Sequence, residues 1–257
     1  MKHPPRFTIQ EDSTGLETSG KFRVTGGELH HMRDVMRLRL GRRVILCSPE
    51  GREVAGRIAG FEPDAAIVTA DDAPRQHASV RPHLILAAGV IKPARMDLLA
   101  EKAAELGAAE FWPLMCAHSV VREPSSERLA RWRRISLAAA KQSLRSRAME
   151  VQVPMDVAAM TSSVPKPAVA VACVPGAPPL IAVLRRGSDS LKRLPAILIA
   201  IGPEGDFTAE ELALMRDAGF IPAGLGNNRL RSETAGLAAL SIVTAVLAEA
   251  ENLQGSA

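Results

Sequence analysis

A glycine-rich loop directly after a buried strand is the first feature of this chain that suits chemistry. Gly202-Pro203-Glu204-Gly205 follows the apolar run Ala196 to Ala200, which has the composition of a strand covered on both faces. Proline fixes the turn, and glycine lets a backbone approach a small molecule closely. Glu204 adds a carboxylate beside the turn. The same spacing also suits a strand-to-helix turn that binds nothing, and the residues alone leave both interpretations open.

A second candidate loop, Leu225 to Ala235, immediately precedes a long apolar helix pattern. Arg231 and Glu233 flank the predicted helix start, and helix N-termini attract anions. Ordinary capping is the alternative interpretation, although capping does not explain an arginine before the cap. Because the carboxyl ends of parallel strands meet at one edge of a sheet, we expect both loops to build one small-molecule pocket.

Several common catalytic patterns are absent from the sequence. Only Ala87-Ala88-Gly89 stands at the end of the first buried strand, where a dinucleotide-binding enzyme carries Gly-x-Gly-x-x-Gly. The chain also contains no Gly-x-x-x-x-Gly-Lys-Ser/Thr and no Gly-x-Ser-x-Gly. The sequence therefore disfavours a dinucleotide site, a phosphate-loop nucleotidase and a serine hydrolase.

The composition, with 47% hydrophobic residues, is that of a globular chain able to fill a core. The three cysteines, Cys47, Cys116 and Cys173, are far apart and lack metal-ligand spacing, which suits a reducing compartment. No continuous apolar run approaches the roughly 18 residues that span a bilayer, and no signal peptide is evident. We expect a cytoplasmic protein with no membrane segment and no metal.

Basic residues are concentrated in two stretches. Between Arg122 and Arg147 they outnumber acidic residues eight to two, and a second group runs from Arg33 to Arg43. Such clusters are typical of a protein that binds a polyanion such as RNA. A solvated helix face is the alternative interpretation.

The pattern of the chain changes near residue 74, which predicts two domains. Short strand candidates around one helix, Glu28 to Leu38, predict a small β-barrel over residues 1–73, and Asp71 to Gln76 is interpreted as a linker. The predicted strands are Arg6 to Gln10, Lys21 to Thr25, Val44 to Cys47, Glu53 to Ile58 and Ala65 to Thr69.

Residues 74–257 alternate between buried strands and helices, which predicts an α/β domain with a parallel sheet. Thr208-Ala209-Glu210-Glu211 is a capping box that opens one of these helices, and a basic helix is expected from Ser125 or Ser126 to about Arg145. The predicted strands are Leu84 to Ala88, Phe111 to Met115, Val169 to Val174, Ile197 to Ile201 and Pro222 to Leu225.

Both loops resemble those of the SPOUT class of RNA methyltransferases, and in particular the RsmE-type 16S ribosomal RNA uridine-N3 methyltransferases. That family carries patterns close to Gly-Pro-Glu-Gly-Gly-Phe and Leu-Gly-x-Arg-Ile-Leu-Arg-x-Glu-Thr-Ala. Further similar segments are His30 to Leu38, Glu101 to Gly107, Arg131 to Ile135 and Ala139 to Ser143. The sequence departs from the pattern at Asp206, where the family has glycine, and at Lys92-Pro93-Ala94-Arg95, where Lys-Gly-Asp-Arg is usual.

The resemblance implies a fold and a reaction that periodicity alone cannot give. It implies an N-terminal PUA-like barrel, a SPOUT-type parallel sheet with a trefoil knot, and a homodimer. It also implies transfer of a methyl group from S-adenosylmethionine to uridine N3 in 16S ribosomal RNA of the small ribosomal subunit. Arg231 would stabilise negative charge on the substrate, and Glu233 would accept the N3 proton or orient Arg231.

The resemblance also assigns binding residues by position in this chain. The residues expected at the cofactor are Ala200, Ile201, Gly202, Glu204, Gly205, Leu225, Gly226, Leu230, Thr234 and Ala235. The two basic stretches, rather than the resemblance, supply the residues expected at RNA phosphates, which are Arg33, Arg37, Arg122, Arg131, Arg134 and Arg145.

Other functions remain open at this point. The cofactor loops alone do not distinguish base methylation from ribose 2′-O-methylation of ribosomal or transfer RNA. A non-catalytic RNA-binding protein of ribosome assembly would retain the fold but has no need of the Gly202 to Gly205 loop. A small-molecule α/β enzyme would leave the basic stretches unexplained.

Overall fold

The computed structural model describes residues 4–9, 20–48, 52–73, 75–76, 82–119, 123–143, 145, 147–186 and 195–254. The chain divides into two compact units, Met1–Ala78 with Ala140–Ala148, and Ser79–Ala139 with Met149–Ala257. Each unit has its own sheet and its own hydrophobic core.

The first unit is built on a sheet in the order β1-β3-β4-β5-β2, with β6 paired to β4. All its pairs are antiparallel except β1 with β3. Within the described residues no ladder joins β1 to β2, so closure into a barrel stays a prediction. The strands are β1 Arg6–Thr8, β2 Lys21–Thr25, β3 Arg43–Cys47, β4 Arg52–Phe61, β5 Ala65–Ala70 and β6 Arg75–Gln76.

The helix of the first unit is shorter than the sequence pattern predicts. α1 spans Gly26–His30 and continues as a π-helical turn over His31–Val35. The turn ends there because Arg37 takes a left-handed conformation, with φ at 50°. Buried Met32 packs this segment on the core of the first unit. The apolar spacing that predicted a continuous α-helix is therefore explained by this contact with the core.

The second unit contains a parallel sheet in the order β12-β10-β11-β7-β8-β9, as its alternation of strands and helices predicts. Strand β7 lies beside β11 although more than a hundred residues separate them in sequence. Loops that follow β7, β10, β11 and β12 therefore meet at one edge. The strands are β7 His83–Gly89, β8 Glu110–Leu114, β9 Glu150–Val151, β10 Ala168–Cys173, β11 Ala196–Ile201 and β12 Ile221–Ala223.

Helices cover both faces of this sheet. Alternate residues of β11 enter different cores: Ile197 and Ile199 pack on one face, and Leu198 and Ala200 on the other. The helices are α2 Pro93–Glu105, α3 Ser126–Gln142, α4 Val157–Ser163, α5 Leu180–Arg185, α6 Ala209–Asp217 and α7 Ser232–Gln254. The predicted capping box of α6 is confirmed, because Thr208 and Glu211 each accept a hydrogen bond from the other's backbone N–H.

Some helix predictions were wrong. The basic helix α3 ends at Gln142 and does not reach Arg145. The short helices α4 and α5 were missed because each contributes only two buried side chains, too few for a period to be recognised. The predicted linker includes β6, whose two residues are too few to show alternation.

The last helix, α7, differs from the expectation that no segment could span a membrane. Ser232–Glu249 has a mean hydropathy of 1.3 and is long and apolar enough to cross a bilayer by length and composition alone. Half of this segment is buried, and α7 contacts α2, α5, β7 and β11. Its apolar composition is thus explained by packing in the core of the second unit.

A polar network joins β7, β8 and the residue that follows β9. The carboxylate of Glu110 accepts hydrogen bonds from His83 Nε2 at 2.6 Å, Trp112 Nε1 at 2.7 Å and Gln152 Nε2 at 3.0 Å. Burial raises the pKa of Glu110, but these hydrogen bonds outweigh burial and hold it below its ordinary value of 4.5.

Glu110→Gln is expected to lower the free energy of unfolding by about 1–3 kcal/mol, because an amide offers one acceptor oxygen to these donors. A carboxylate with a lowered folded-state pKa stabilises the protein above its unfolded pKa, and this contribution is lost as pH falls through the folded value. Denaturation at pH 7 and at about pH 3 should therefore show a difference between wild type and variant that shrinks in acid. Glu150→Gln, which changes an exposed neighbour, is the control; an equal effect there would contradict the assignment.

Candidate functional site

A pocket of about 740 Å³ lies at the carboxyl edge of the second sheet. The residues that follow β10, β11 and β12 line it, and they belong to one unit. The lining comprises residues 173–176, 201–204, 206, 225–232 and 235. Its volume is within the range of small-molecule and cofactor sites in proteins, about 300–1,000 Å³.

Most of the residues predicted at a cofactor line this pocket, namely Ile201, Gly202, Glu204, Leu225, Gly226, Leu230 and Ala235, together with Arg231. Ala200, Gly205, Thr234 and Glu233 are not among the lining residues. Ala200 is fully buried within β11, and Thr234 is exposed on α7. The sequence pattern missed the segment 173–176, because a valine and proline turn after β10 carries no motif.

The glycine-rich loop is held by a close approach of two backbones. A Cβ atom on Gly89, at the end of β7, would lie 2.6 Å from Pro203 N. Only glycine fits there, so Gly89 sets how near the loop after β11 sits to β7.

His118 and Glu211 fix the other side of the same loop. His118 Nδ1 donates to Gly205 O at 2.9 Å and to Asp206 O at 3.0 Å, so the proton is on Nδ1, since carbonyl oxygens only accept. Glu211 Oε1 accepts from Ala117 N at 2.8 Å and thereby holds the segment that carries His118. Gly205 thus lies directly against the His118 side chain, and it is not among the residues that line the pocket.

Asp206 is strained and faces the second loop. It takes a left-handed φ of 58°, which suits the glycine found here in the resembling family better than aspartate. Its carboxylate lies 3.9 Å from the Arg229 guanidinium, and both residues line the pocket. Asp206, one departure from the family pattern, thus faces Arg229 of the second loop.

Arg231 and Glu233 have different surroundings. Arg231 is exposed, lines the pocket, and its guanidinium has no hydrogen-bond or ion-pair partner among the described residues. Glu233 is buried and lies 3.5 Å from Arg95 Nε. The Glu233 carboxylate pairs with Arg95 on α2, and among the described residues it makes no hydrogen bond or ion pair with Arg231.

Arg95 is a residue that the sequence pattern did not single out as functional. Its guanidinium also lies 3.5 Å from Glu204 Oε1 in the glycine-rich loop. The signal that could have found it is its place in the first turn of α2, just past the carboxyl end of β7.

A reactive thiol or a bound metal ion would be another source of chemistry at this pocket. Burial raises the pKa of Cys173, the cysteine that lines the pocket, to about 12, so the thiol is protonated at neutral pH. Among the residues that the structure describes, no group of three or more histidine, cysteine or acidic residues could hold a metal ion.

The arginines predicted at RNA differ in availability. Arg37 and Arg134 are exposed, without a side-chain partner in the described part of the chain, whereas Arg33 pairs with Asp34 and Arg131 with Asp97 at 2.8 Å. Arg145 is half-buried, and burial lowers the pKa of its guanidinium. Arg122 lies outside the described residues.

Comparison with known protein families matches both units. A family model for the RNA methyltransferase domain matches residues 79–244, and a model for the RNA methyltransferase PUA domain matches residues 24–71. The ribosomal RNA small subunit methyltransferase E of Bacillus subtilis is 29% identical, covering 93% of this chain and 95% of that protein. The protein of the same name from Synechocystis is 30% identical, covering 87% and 73% respectively.

A solved structure shares the architecture. The ribosomal RNA small subunit methyltransferase E of Neisseria gonorrhoeae, bound to S-adenosyl methionine, superimposes with a TM-score of 0.77 at 25% identity. The superposition covers 95% of this chain and 98% of that one. The two family models identify the second unit as an RNA methyltransferase domain and part of the first as a PUA domain. The chain belongs to the family of the ribosomal RNA small subunit methyltransferases E.

Gly89→Ala is expected to destabilise the second unit by about 1–3 kcal/mol or more, because the added Cβ overlaps Pro203 backbone that cannot move aside. Thermal unfolding measures the loss. Gly27→Ala is the matched control, since a Cβ there meets no atom within 4 Å and φ is not positive. Equal stability of the two variants would contradict the close approach.

Proposed function

We propose that this protein transfers a methyl group from S-adenosylmethionine to N3 of a specific uridine in 16S ribosomal RNA of the small ribosomal subunit. The observation that carries the proposal is the pocket of backbone loops at residues 201–206 and 225–235, in a chain that also carries a PUA domain. The names of its relatives support ribosomal RNA as the substrate.

The pocket suits S-adenosylmethionine in size and in chemistry. Gly202 and Gly226 leave room for close approach of an adenosyl group, and Leu225 and Leu230 offer apolar surface. Glu204 Oε2 is buried and has no hydrogen-bond partner in the described structure, so it is available to a donor on a ligand. When bound, S-adenosylmethionine supplies a methyl group on a positively charged sulfur, ready for attack by a nucleophile.

Arg231 is proposed to stabilise the negative charge that develops on the uracil oxygens as N3 releases its proton to water. Its guanidinium is on the pocket and is unpaired among the described residues, and it precedes α7, whose N-terminus favours negative charge. The loops hold donor and acceptor in line, and such positioning lowers a barrier by several kcal/mol or more.

The first unit is proposed to be a PUA-like barrel that binds RNA. Exposed Arg37 there and exposed Arg134 on α3 supply charge for phosphate contacts.

A trefoil knot and a homodimer are part of the proposal. Gly224 N donates to Pro178 O and Leu180 N donates to Gly224 O, so the segment before the second loop packs tightly against the turn after β10. Exposed Ile181 and Ile221 offer apolar surface for a second copy. The buried or half-buried free cysteines are consistent with the cytoplasm as its compartment.

The test is methylation of small ribosomal subunits from cells that lack the endogenous enzyme. The purified protein is incubated with methyl-labelled S-adenosylmethionine, and the RNA is digested to nucleosides. We expect label in N3-methyluridine. Label on a ribose would replace base methylation by 2′-O-methylation, and absence of both label and cofactor binding would favour a non-catalytic RNA-binding protein.

Arg231→Ala is expected to lower the single-turnover rate at saturating cofactor by about 100-fold, which is typical for loss of one group that stabilises charge in a transition state. Quench-flow methylation of the subunit measures the rate, and calorimetry measures cofactor binding. Arg216→Ala, which changes an exposed arginine on α6, is the control. Loss of cofactor binding with a normal rate at saturation would exclude this role for Arg231.

RNA affinity is expected to fall steeply as salt rises, because phosphate contacts release counterions. Arg134→Ala should reduce the slope of log affinity against log salt concentration by about one, as for a single phosphate contact. Arg131→Ala on the same helix should have a smaller effect, since Asp97 already neutralises Arg131. Filter binding at several salt concentrations measures both, and a flat wild-type affinity would rule out phosphate contacts.

A further inference from the structure

Arg95 joins two segments that line the pocket without lining it itself. Its Nη1 lies 3.5 Å from Glu204 Oε1, in the loop after β11, and its Nε lies 3.5 Å from Glu233 Oε1, in the first turn of α7. Glu204 and Arg95 are 109 residues apart in sequence. One guanidinium therefore connects the glycine-rich loop to the helix that follows the second loop.

The fold explains why Arg95 reaches both carboxylates. Strand β7 lies beside β11, which places the first turn of α2 next to the loop after β11. Helix α7 packs on α2, and a Cβ on Gly236 would lie 2.8 Å from Leu99 Cδ1. Residues 233 and 236 share one face of α7, and residues 95 and 99 share one face of α2, so this contact brings Glu233 to Arg95.

Arg95 compensates the negative charge of two carboxylates, those of Glu204 and Glu233. The Glu233 side chain is only 10% exposed, and burial of a carboxylate is costly unless a cation or hydrogen bond compensates it. Among the described residues, Arg95 is the basic side chain that pairs with Glu233 and with Glu204. The remaining oxygens, Glu204 Oε2 and Glu233 Oε2, are buried without partners. Loss of Arg95 would leave both carboxylates uncompensated.

We propose that Arg95 is a positioning residue, which fixes the Glu204 carboxylate and the loop at residues 202–206 against the first turn of α7. Glu233 anchors Arg95 from outside the pocket and takes no part in proton transfer. The inference rests on the proposed function, since it explains how the two loops keep the relative position that S-adenosylmethionine binding needs. It also separates Glu233 from Arg231, which faces the pocket.

The bridge is the pair of contacts that Arg95 makes with Glu204 and Glu233. Calorimetric titration with S-adenosylmethionine tests it in three variants, namely Arg95→Met, Glu233→Gln and the double variant. We expect Arg95→Met to raise the dissociation constant about tenfold or more, equivalent to about 1.4 kcal/mol. Glu233→Gln should raise it less, and the double variant should bind no more weakly than Arg95→Met, because both changes break one bridge. Arg95→Lys should recover part of the affinity, since it retains the charge but not the forked geometry.

The kinetic readout separates an anchor from a proton acceptor. Both single variants should raise KM for S-adenosylmethionine and leave the rate at saturating cofactor within about threefold of wild type. Arg185→Met is the matched control, because it removes an exposed ion pair with Glu249 away from the pocket. It should change neither quantity.

A third readout needs no cofactor. Amide hydrogen exchange at residues 202–206 and 232–235 should be faster in Arg95→Met and in Glu233→Gln, and unchanged in Arg185→Met. If the wild-type protein binds no S-adenosylmethionine, the proposed function is wrong. Amide hydrogen exchange still tests the bridge in that case, because it needs no cofactor. Unchanged exchange, additive effects of the two substitutions, or a reduced saturating rate in Glu233→Gln with normal binding would each overturn the inference. If Arg95→Met does not fold, Arg95→Lys decides by the same readouts.

Discussion

Close contact of backbone with backbone at the carboxyl edge of the second sheet is the constraint on which the pocket depends. Gly89 and Gly224 occupy positions where a Cβ atom would overlap Pro203 N and Ala177 O, at 2.6 Å and 2.5 Å. Strand ends and loops are therefore in direct contact, with no side chain between them. The sheet therefore determines the shape of the pocket walls, and backbone forms much of the surface that a ligand would contact.

The sequence predicted those parts of the site that depend on local patterns. Gly202 to Glu204 and Leu225 to Leu230 line the pocket, and the capping box at Thr208 is present, because turns and caps are determined by neighbouring residues. The strand order was not predictable from local pattern. Contacts such as Arg95 with Glu204 and His118 with Gly205 follow from that order, so the sequence pattern missed them. Glu233 was expected to accept the N3 proton or orient Arg231, and its contact with Arg95 of α2 is not visible in the local sequence.

The distribution of charge divides the arginines into two groups. Arg95, Arg131 and Arg33 already neutralise carboxylates within their own units. Arg231, Arg37 and Arg134 are exposed without partners in the described residues. An arginine that is already paired gains less from a phosphate than a free one does, because it must first give up its partner. Counting basic residues along the sequence thus overstates the charge available to RNA.

The order of elements along the chain gives α7 a second consequence. This helix follows all other elements, fills the core beside α2 and β7, and carries Ser232 and Ala235 on the pocket wall. During synthesis, the face of the sheet that α2 and α5 cover in part is completed only once α7 has been made, and so is the pocket wall. Ligand binding and completion of folding are therefore thermodynamically linked. A ligand at a hundred times its dissociation constant would stabilise the folded unit by about 2.7 kcal/mol.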